Sequence, residues 1–323
     1  MGKDVIDDLE SFVEQNLGLL TPVDQAWQPT DFLPDLTSEN WAEQVGAFRS
    51  TALGLPDDLL VILVGNMITE EALPNYAVSL TQIAKGADGQ ANTGWCQWLR
   101  GWTAEENRHG DLLNAYLRLT GRVDMRAVER TIHHLIKNGF SSRSHGDDYG
   151  GLIYAAFQER ATRITHGNVS KLAMEYGDEN LSRICRRIAG DEARHETFYS
   201  RVVSEVISRD PEAAVLSFRA MLKGNIAMPG TRMYDGKDPN LFDHFAAVAQ
   251  RRGVYTVQTY SEIIGHLVDN WGIAGLSVTG KAAKAQEYLC RQAERYLFFA
   301  DEIAAGLAKQ PVHEFSWVSG AMV

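Results

Sequence analysis

The residues best suited to do chemistry in this sequence are glutamates followed three positions later by a histidine, a pattern that occurs twice within predicted helices. One pair is Glu106 and His109, and the other is Glu192 and His195. Residues three apart lie on one face of a helix, so both side chains of a pair could bind the same metal ion. Carboxylate and imidazole ligands without nearby thiols favour iron or manganese over structural zinc.

Each pair also has a glutamate upstream on another predicted helix. Glu159 precedes the second pair. Before the first pair Glu70 and Glu71 are adjacent, and helical geometry alone does not choose between them. Four carboxylates and two imidazoles on four helices are the ligand set of di-iron and di-manganese sites in four-helix bundles. The sequence therefore predicts a site for two metal ions inside such a bundle.

The candidate ligands lie within apolar stripes, as expected of side chains that face a core. The stripes are Trp98, Trp102, Glu106, His109 and Leu113; Leu152, Ala155, Glu159, Thr162 and His166; and Ile184, Ile188, Glu192, His195 and Tyr199. An unpaired buried carboxylate is destabilising, so four of them together require cations between them.

An acidic residue directly precedes the glutamate of each pair: Glu105 in the first and Asp191 in the second. Histidines that bind metals usually donate their second N–H to a carboxylate. We hypothesise that each of these acids supports the histidine of the facing pair.

A single Glu-x-x-His pair is weak evidence, because it most often marks a solvated helix face. Two copies on apolar stripes, each with an adjoining acid and an inward glutamate, favour a metal centre. On geometry alone Trp102, one turn before Glu106, is more often a core residue than an electron carrier. The remaining histidines lack ligand spacing and are expected to be structural or at the surface: His133, His134, His145, His244, His266 and His313.

Composition excludes several classes of protein. With 323 residues, 45% of them hydrophobic, the chain can build a large core. A formal net charge of −11 argues against a general nucleic-acid binder, which would show a basic face. The cysteines, Cys96, Cys185 and Cys290, are widely spaced and indicate buried thiols in a reducing compartment.

The pattern along the chain favours a soluble protein. No apolar run approaches the ~20 residues of a membrane span, and the acidic start lacks the basic region of a signal peptide. We expect a cytoplasmic protein, or one in the plastid stroma if a transit segment was removed.

Helical periodicity dominates, and no segment alternates as a strand would. The sequence predicts an all-α, single domain over 1–323, with an irregular N-terminal arm over 1–55 that holds one short helix, and a four-helix core near 57–208. Loops are expected at 86–93 and 141–151, and a kink at Pro74. Predicted helices cover 57–85, 94–119, 124–137, 151–176, 179–208, 211–223, 241–251, 256–270 and 280–308.

From about residue 55 to the C-terminus, the sequence resembles the soluble acyl-acyl carrier protein desaturases, typified by the plant stearoyl enzyme. The matching segments are 69–74, 102–111, 121–126, 157–162, 166–168, 191–192, 194–197, 233–236, 240–245 and 315–317.

The resemblance implies a ferritin-like four-helix bundle with additional packed helices, about eleven in all, a homodimer, and two carboxylate-bridged iron ions per chain. The implied metal ligands are Glu70, Glu106, His109, Glu159, Glu192 and His195, with Glu70 chosen over Glu71 by alignment. Thr162 matches a threonine on the oxygen-binding side, and Asp191 and Trp102 match residues proposed for electron delivery.

The implied reaction uses O2 and two electrons from reduced ferredoxin. It removes two hydrogens from adjacent carbons of an acyl chain on acyl carrier protein and leaves a cis double bond. The chain would extend through a narrow apolar tunnel, so its position relative to the carrier would select the carbons.

Two departures leave carrier docking, chain length and bond position open. The stretch 290–299 has less positive charge than in plant members, and the segment between Glu70 and Glu106 is about two residues shorter. Arg183, Arg186 and Arg187 form a basic cluster that could dock a carrier, and a solvated helix face is an equal alternative.

Three other functions remain alternatives. A hydroxylase or other oxygenase of a carrier-bound chain would use the same ligands. A ferritin-like iron-binding protein would need no organic substrate, although the long C-terminal extension argues against it. A purely structural helical protein would contain no metal.

Overall fold

The computed structural model describes residues 2–83, 91–142, 144, 146–224, 226–308, 311–318 and 322–323. Within them, the only extended pairing is an isolated antiparallel bridge between Glu314 and Met322. The predicted all-α fold is confirmed. Residues 86–90 of one predicted loop, and His145, lie outside the described residues.

Eleven described helices have eleven or more residues, and three are shorter. They are α1 (Gly2–Asp7), α2 (Glu10–Asn16), α3 (Trp41–Ala52), α4 (Asp57–Glu70), α5 (Leu73–Thr81), α6 (Gly94–Thr120), α7 (Met125–Asn138), α8 (Asp148–Glu175), α9 (Glu179–Arg209), α10 (Pro211–Lys223), α11 (Leu241–Arg251), α12 (Val257–Asn270), α13 (Gly280–Cys290) and α14 (Gln292–Ala308). The predicted ferritin-like bundle consists of α4, α6, α8 and α9, with α4 packed on α6, α6 on α9 and α9 on α8.

Capping residues set the ends of the long bundle helices. Side-chain oxygens of Thr93, Asp147 and Asp178 accept hydrogen bonds from backbone N–H groups in the first turns of α6, α8 and α9. After α6 the chain turns at Gly121, whose φ of 68° is readily accessible to glycine.

Two predicted helices are broken. The helix predicted over 57–85 ends at Glu70 and restarts as α5, because Pro74 lacks an N–H and its ring would clash with the carbonyl of Glu70 in a continuous helix. The helix predicted over 280–308 divides into α13 and α14 at Arg291. The N-terminal arm is more helical than predicted, since it contains α1, α2 and α3.

The apolar core forms two clusters with polar residues between them. The first half of α6 and of α8 and the second half of α9 belong to one cluster, and the opposite halves belong to the other. On these three helices, the residues between the two halves are the candidate metal ligands. The bundle therefore surrounds a polar layer with apolar packing on both sides.

No single described helix is long and apolar enough to cross a membrane. A pair bent by 111°, Trp41–Ala52 with Asp57–Val78, reaches that length and composition when its two members are taken together.

Candidate metal centre

The structure brings all six predicted ligands together in two overlapping groups. One contains Glu70, Glu106, His109 and Glu192, and the other contains Glu106, Glu159, Glu192 and His195. In each group, one ligand atom from every member lies within 4.8 Å of the others. Glu106 and Glu192 belong to both groups, which is the arrangement that two ions bridged by carboxylates require.

Polar atoms crowded together in the cluster show that its residues suit cations. All six side chains are buried. Five of their polar atoms lie close together without hydrogen-bond geometry: Nδ1 of His195 is 2.8 Å from Oε1 of Glu106 and 3.3 Å from Oε2 of Glu159, and Nδ1 of His109 is 3.3 Å from Oε1 of Glu192. Buried polar atoms are nearly always paired, and an orphaned carboxylate is costly. A pair of cations would satisfy all five atoms, and this donor set suits iron or manganese.

Electrostatics point the same way. Burial and the charge of Glu192 raise the pKa of Glu106 to about 7. Burial, together with the charges of Glu159 and Glu70, raises the pKa of Glu192 to about 7 although His109 opposes the shift. Without cations, these two carboxylates therefore retain protons close to neutral pH.

Each histidine contacts the acid on the facing helix, as hypothesised. The Glu105 carboxylate accepts a hydrogen bond from Nε2 of His195 at 2.9 Å, and Oδ2 of Asp191 lies 3.4 Å from Nε2 of His109. Arg194 donates to both acids, at 2.7 Å to Glu105 and 2.8 Å to Asp191. These contacts direct Nδ1 of each histidine toward the cluster.

The two acids stay ionised although they are buried. Burial by itself would raise the pKa of Glu105, but the His195 hydrogen bond and charge, with further help from Arg194, lower it to about 2. The pKa of Asp191 is also lowered, because the contact with His109 and the Arg194 hydrogen bond outweigh burial.

Thr162 and Trp102 each contact a carboxylate of the cluster. Oγ1 of Thr162 donates to Oε2 of Glu192 at 2.7 Å, and Nε1 of Trp102 donates to Oε1 of Glu159 at 2.9 Å. Trp102 is only 2% exposed. The structure thus places Trp102 as a hydrogen-bond donor to Glu159, while the tryptophan beside Asp191 is a different one.

That tryptophan is Trp27, from the N-terminal arm, and sequence reasoning gave it no role. Its Nε1 donates to Oδ2 of Asp191 at 2.7 Å. Its ring lies parallel to that of His109, with centroids 6.2 Å apart. Trp27 lies in a segment without helical periodicity, so no local signal could have found it.

His166 is a second residue whose role was missed. Its Nε2 lies 2.9 Å from Oε1 of Glu70, and both side chains are buried. Its position on the stripe of Glu159, one turn after Thr162, was the available signal. Glu71 accepts a hydrogen bond from Asn114 at 3.2 Å instead of joining the cluster.

The arginine cluster is largely engaged with the N-terminal arm. Arg183 lies over the ring of Phe32 at 5.3 Å, and Arg187 lies over the ring of Trp27 at 5.9 Å. Only part of this arginine cluster is therefore a solvated helix face.

Two cavities meet at the metal centre, and both are lined by Thr69, Glu70 and Thr162. The smaller has a volume of about 50 Å³ and reaches toward Leu80 and Tyr154. The larger has a volume of about 530 Å³, between α4, α8, α11 and α12. Together they could hold an extended apolar molecule that passes the cluster.

Comparison with known proteins identifies the family. A family model described as fatty acid desaturase matches residues 2–319. The chloroplastic stearoyl-[acyl-carrier-protein] 9-desaturase of Gossypium hirsutum is 51% identical over 324 residues, covering 98% of this chain and 81% of the relative. That of Spinacia oleracea is 48% identical, covering 98% and 80%. The chain belongs to the acyl-acyl carrier protein desaturase family.

A solved structure agrees with this desaturase fold. The putative acyl-ACP desaturase DesA2 from Mycobacterium tuberculosis H37Rv has a TM-score of 0.54 and 21% identity, covering 88% of this chain and 99% of that chain. At this identity, the match supports the shared fold alone.

Proposed function

We propose that this oxidoreductase is an O2- and ferredoxin-dependent di-iron desaturase that introduces a cis double bond into an acyl chain on acyl carrier protein. The observation that carries the proposal is the pair of overlapping carboxylate–histidine groups at the junction of two cavities, in a chain about half identical to stearoyl-[acyl-carrier-protein] 9-desaturases. Overall, two adjacent CH2 groups, O2, two electrons and two protons would give one double bond and two waters.

The six clustered side chains would bind two iron ions. Glu70 and His109 would serve one ion, Glu159 and His195 the other, and Glu106 and Glu192 both. Bound there, iron would supply the oxidising power for hydrogen removal once O2 and electrons arrive. The apolar lining of the smaller cavity, with Leu80 and Tyr154, would exclude water from the reacting carbons.

Thr162 is the proposed polar residue on the side of the centre where substrate lies. It lines both cavities, and its hydroxyl already donates to Glu192. A hydroxyl can donate and accept at once, so Thr162 could pass a proton at this position.

Substituting the supporting acids is expected to weaken iron binding about 10- to 100-fold, which is typical of losing a partner of a metal-bound histidine. The variants are Asp191→Asn and Glu105→Gln, which keep shape and remove charge. Glu196→Gln is the matched control: Glu196 is also buried on α9 but pairs with Arg160 and Arg163. Iron affinity measured by competition with a chelator should fall only in the first two variants, and unchanged affinity in both would contradict the assignment.

Electron delivery is proposed to run through Trp27 and Asp191 to His109, since these three side chains are in direct contact. The guanidinium groups of Arg108 and Arg187 lie over Trp27 at 5.6 and 5.9 Å. They would offer local positive charge to an acidic ferredoxin despite the net charge of −11.

Trp27→Phe should slow reduction by reduced ferredoxin by roughly 10-fold, the lower end of what an outer-sphere partner contributes. Trp102→Phe is the comparison, because it loses a contact to Glu159 while the Asp191 contacts stay intact. Stopped-flow reduction of iron-loaded protein measures both. If Trp102→Phe slowed reduction as much as Trp27→Phe, the route would not be the one proposed.

The function is tested by incubating iron-loaded protein with ferredoxin, O2 and acyl carrier substrates of increasing chain length. Mass spectrometry should show loss of two hydrogens. Gain of an oxygen would favour a hydroxylase, and iron loading far above two ions per chain would favour iron storage. A homodimer in the cytoplasm or plastid stroma remains part of the proposal, and sedimentation measures the oligomeric state.

A further inference from the structure

The larger cavity has polar groups that the metal centre does not use. Nδ2 of Asn66 and the hydroxyl of Tyr255 are buried atoms without a hydrogen-bond partner among the described residues, and both residues line this cavity. Asn66 is 7% exposed and lies one turn before Glu70 on α4. An unsatisfied buried donor is destabilising, so these groups indicate that a ligand with acceptor atoms fits here.

The third unpaired atom among the residues of this cavity, Nδ1 of His166, can accept a hydrogen bond. His166 lines the cavity and contacts Glu70 through Nε2, and its buried Nδ1 has no hydrogen-bond partner among the described residues. When Nε2 carries the proton, Nδ1 is an acceptor. Two donors and one acceptor match a carbonyl group together with an amide N–H.

Among the described residues that line it, the smaller cavity has no unpaired buried donor. Its lining beyond the metal centre includes Leu80, Phe140 and Ala155. The unpaired atom on this side, Oε1 of Gln158, is an acceptor and cannot bond a carbonyl oxygen. This cavity suits hydrocarbon, whereas the larger one reaches the surface at the exposed Asp243.

We propose that Asn66 and Tyr255 bind the carbonyl-bearing end of the substrate, the thioester or an amide of the carrier's prosthetic arm, and that the chain runs from there past the metal centre toward the smaller cavity. This inference rests on the proposed function, because it assumes a carrier-bound acyl chain. Asn66 and Tyr255 are then positioning residues that set which carbons lie beside the metal centre.

The first test compares two identical substitutions in one cavity. Tyr255→Phe removes an unpaired hydroxyl, whereas Tyr260→Phe removes a hydroxyl that already accepts from the backbone N–H of Ile226. Tyr255→Phe and Asn66→Leu should each weaken binding of an acyl-pantetheine roughly 3- to 10-fold, as expected for one hydrogen bond. Neither should lower thermal stability, because each removes an unsatisfied polar group.

Repeating the binding measurement with the S-ethyl thioester of the same acyl chain separates the two carbonyl sources. Persistence of the Tyr255→Phe effect assigns the contact to the thioester, and its loss assigns it to an amide of the arm. Unchanged affinity in both Tyr255→Phe and Asn66→Leu, or an equal loss in Tyr260→Phe, would overturn the proposal.

The second test reads orientation without turnover. Acyl-pantetheines with a photoreactive diazirine beside the thioester should label 242–260, and those with a diazirine at the methyl end should label 76–83 or 140–155. The reverse pattern would overturn the inference. Correct labelling without desaturation would refute the proposed function alone, and desaturation with reversed labelling would refute the orientation alone.

Discussion

Replacing Glu192 with leucine is expected to abolish desaturation and, at the same time, to stabilise the metal-free protein. Glu192 belongs to both candidate groups, so the variant removes a ligand from each ion. Loss of a direct ligand should weaken iron binding by more than the ~100-fold that an outer partner can contribute. Iron content after gel filtration and product formation from acyl carrier substrates measure this effect.

The gain in stability comes from removing a buried charge. Glu192 is 1% exposed, and burial together with the charges of Glu159 and Glu70 outweighs the contact of its Oε1 with Nδ1 of His109 at 3.3 Å. Replacing buried ionic groups with apolar residues of similar volume is often neutral or stabilises by about 1–4 kcal/mol. The melting temperature in excess chelator should therefore rise by a few degrees in Glu192→Leu.

Glu196→Leu is the control, because it lies one turn further along α9 and is also buried. Its carboxylate bonds Arg160 at 2.6 Å and Arg163 at 2.8 Å, so leucine leaves two guanidinium groups without their partner. This variant should retain iron and melt at a lower temperature. A metal-free Glu192→Leu protein less stable than its parent would show that the carboxylate is not under strain.

Helical spacing was enough to predict most of the cluster. The two Glu–His pairs are each spaced by three positions within an apolar stripe, so the members of a pair share one helix face. The pairs are Glu106 with His109 and Glu192 with His195. The crossed contacts of Glu105 and Asp191 could be predicted for a related reason. Two facing helices that carry the same pattern place each acid beside the histidine of the other.

What could not be predicted depends on tertiary contacts and on helix ends. The choice between Glu70 and Glu71 is made where α4 stops, because the break before Pro74 leaves Glu70 facing the cluster and Glu71 facing Asn114. Trp27 reaches Asp191 across 164 positions of sequence. The cavities depend on how α11 and α12 pack over the bundle, which a pattern in one helix does not record.

The metal-free protein is expected to lose stability as the pH rises from about 4.5 through 7. Glu106 and Glu192 have ordinary pKa values of 4.5 and pKa values of about 7 in the fold, so between these limits the folded chain binds more protons than the unfolded chain. Raising the pH then favours unfolding. The pKa values of His109 and His195 are raised as well, since hydrogen bonds to Asp191 and Glu105 outweigh burial. Their stabilising effect is complete below 6.5 and is lost at higher pH, in the same direction.

Glu105 and Asp191 do not cancel this trend. Their pKa values are lowered, so their contribution is present above their ordinary values and is lost only in strong acid. Bound metal should remove the decline, because ligands must be deprotonated to bind and the cations then offset their charge. Melting temperatures at about pH 5 and about pH 8 should therefore diverge in chelator and converge when two ions are bound. The melting temperature of metal-free Glu192→Leu should fall less between about pH 5 and about pH 8 than that of its parent. A metal-free parent that became more stable over this range would contradict the raised pKa values.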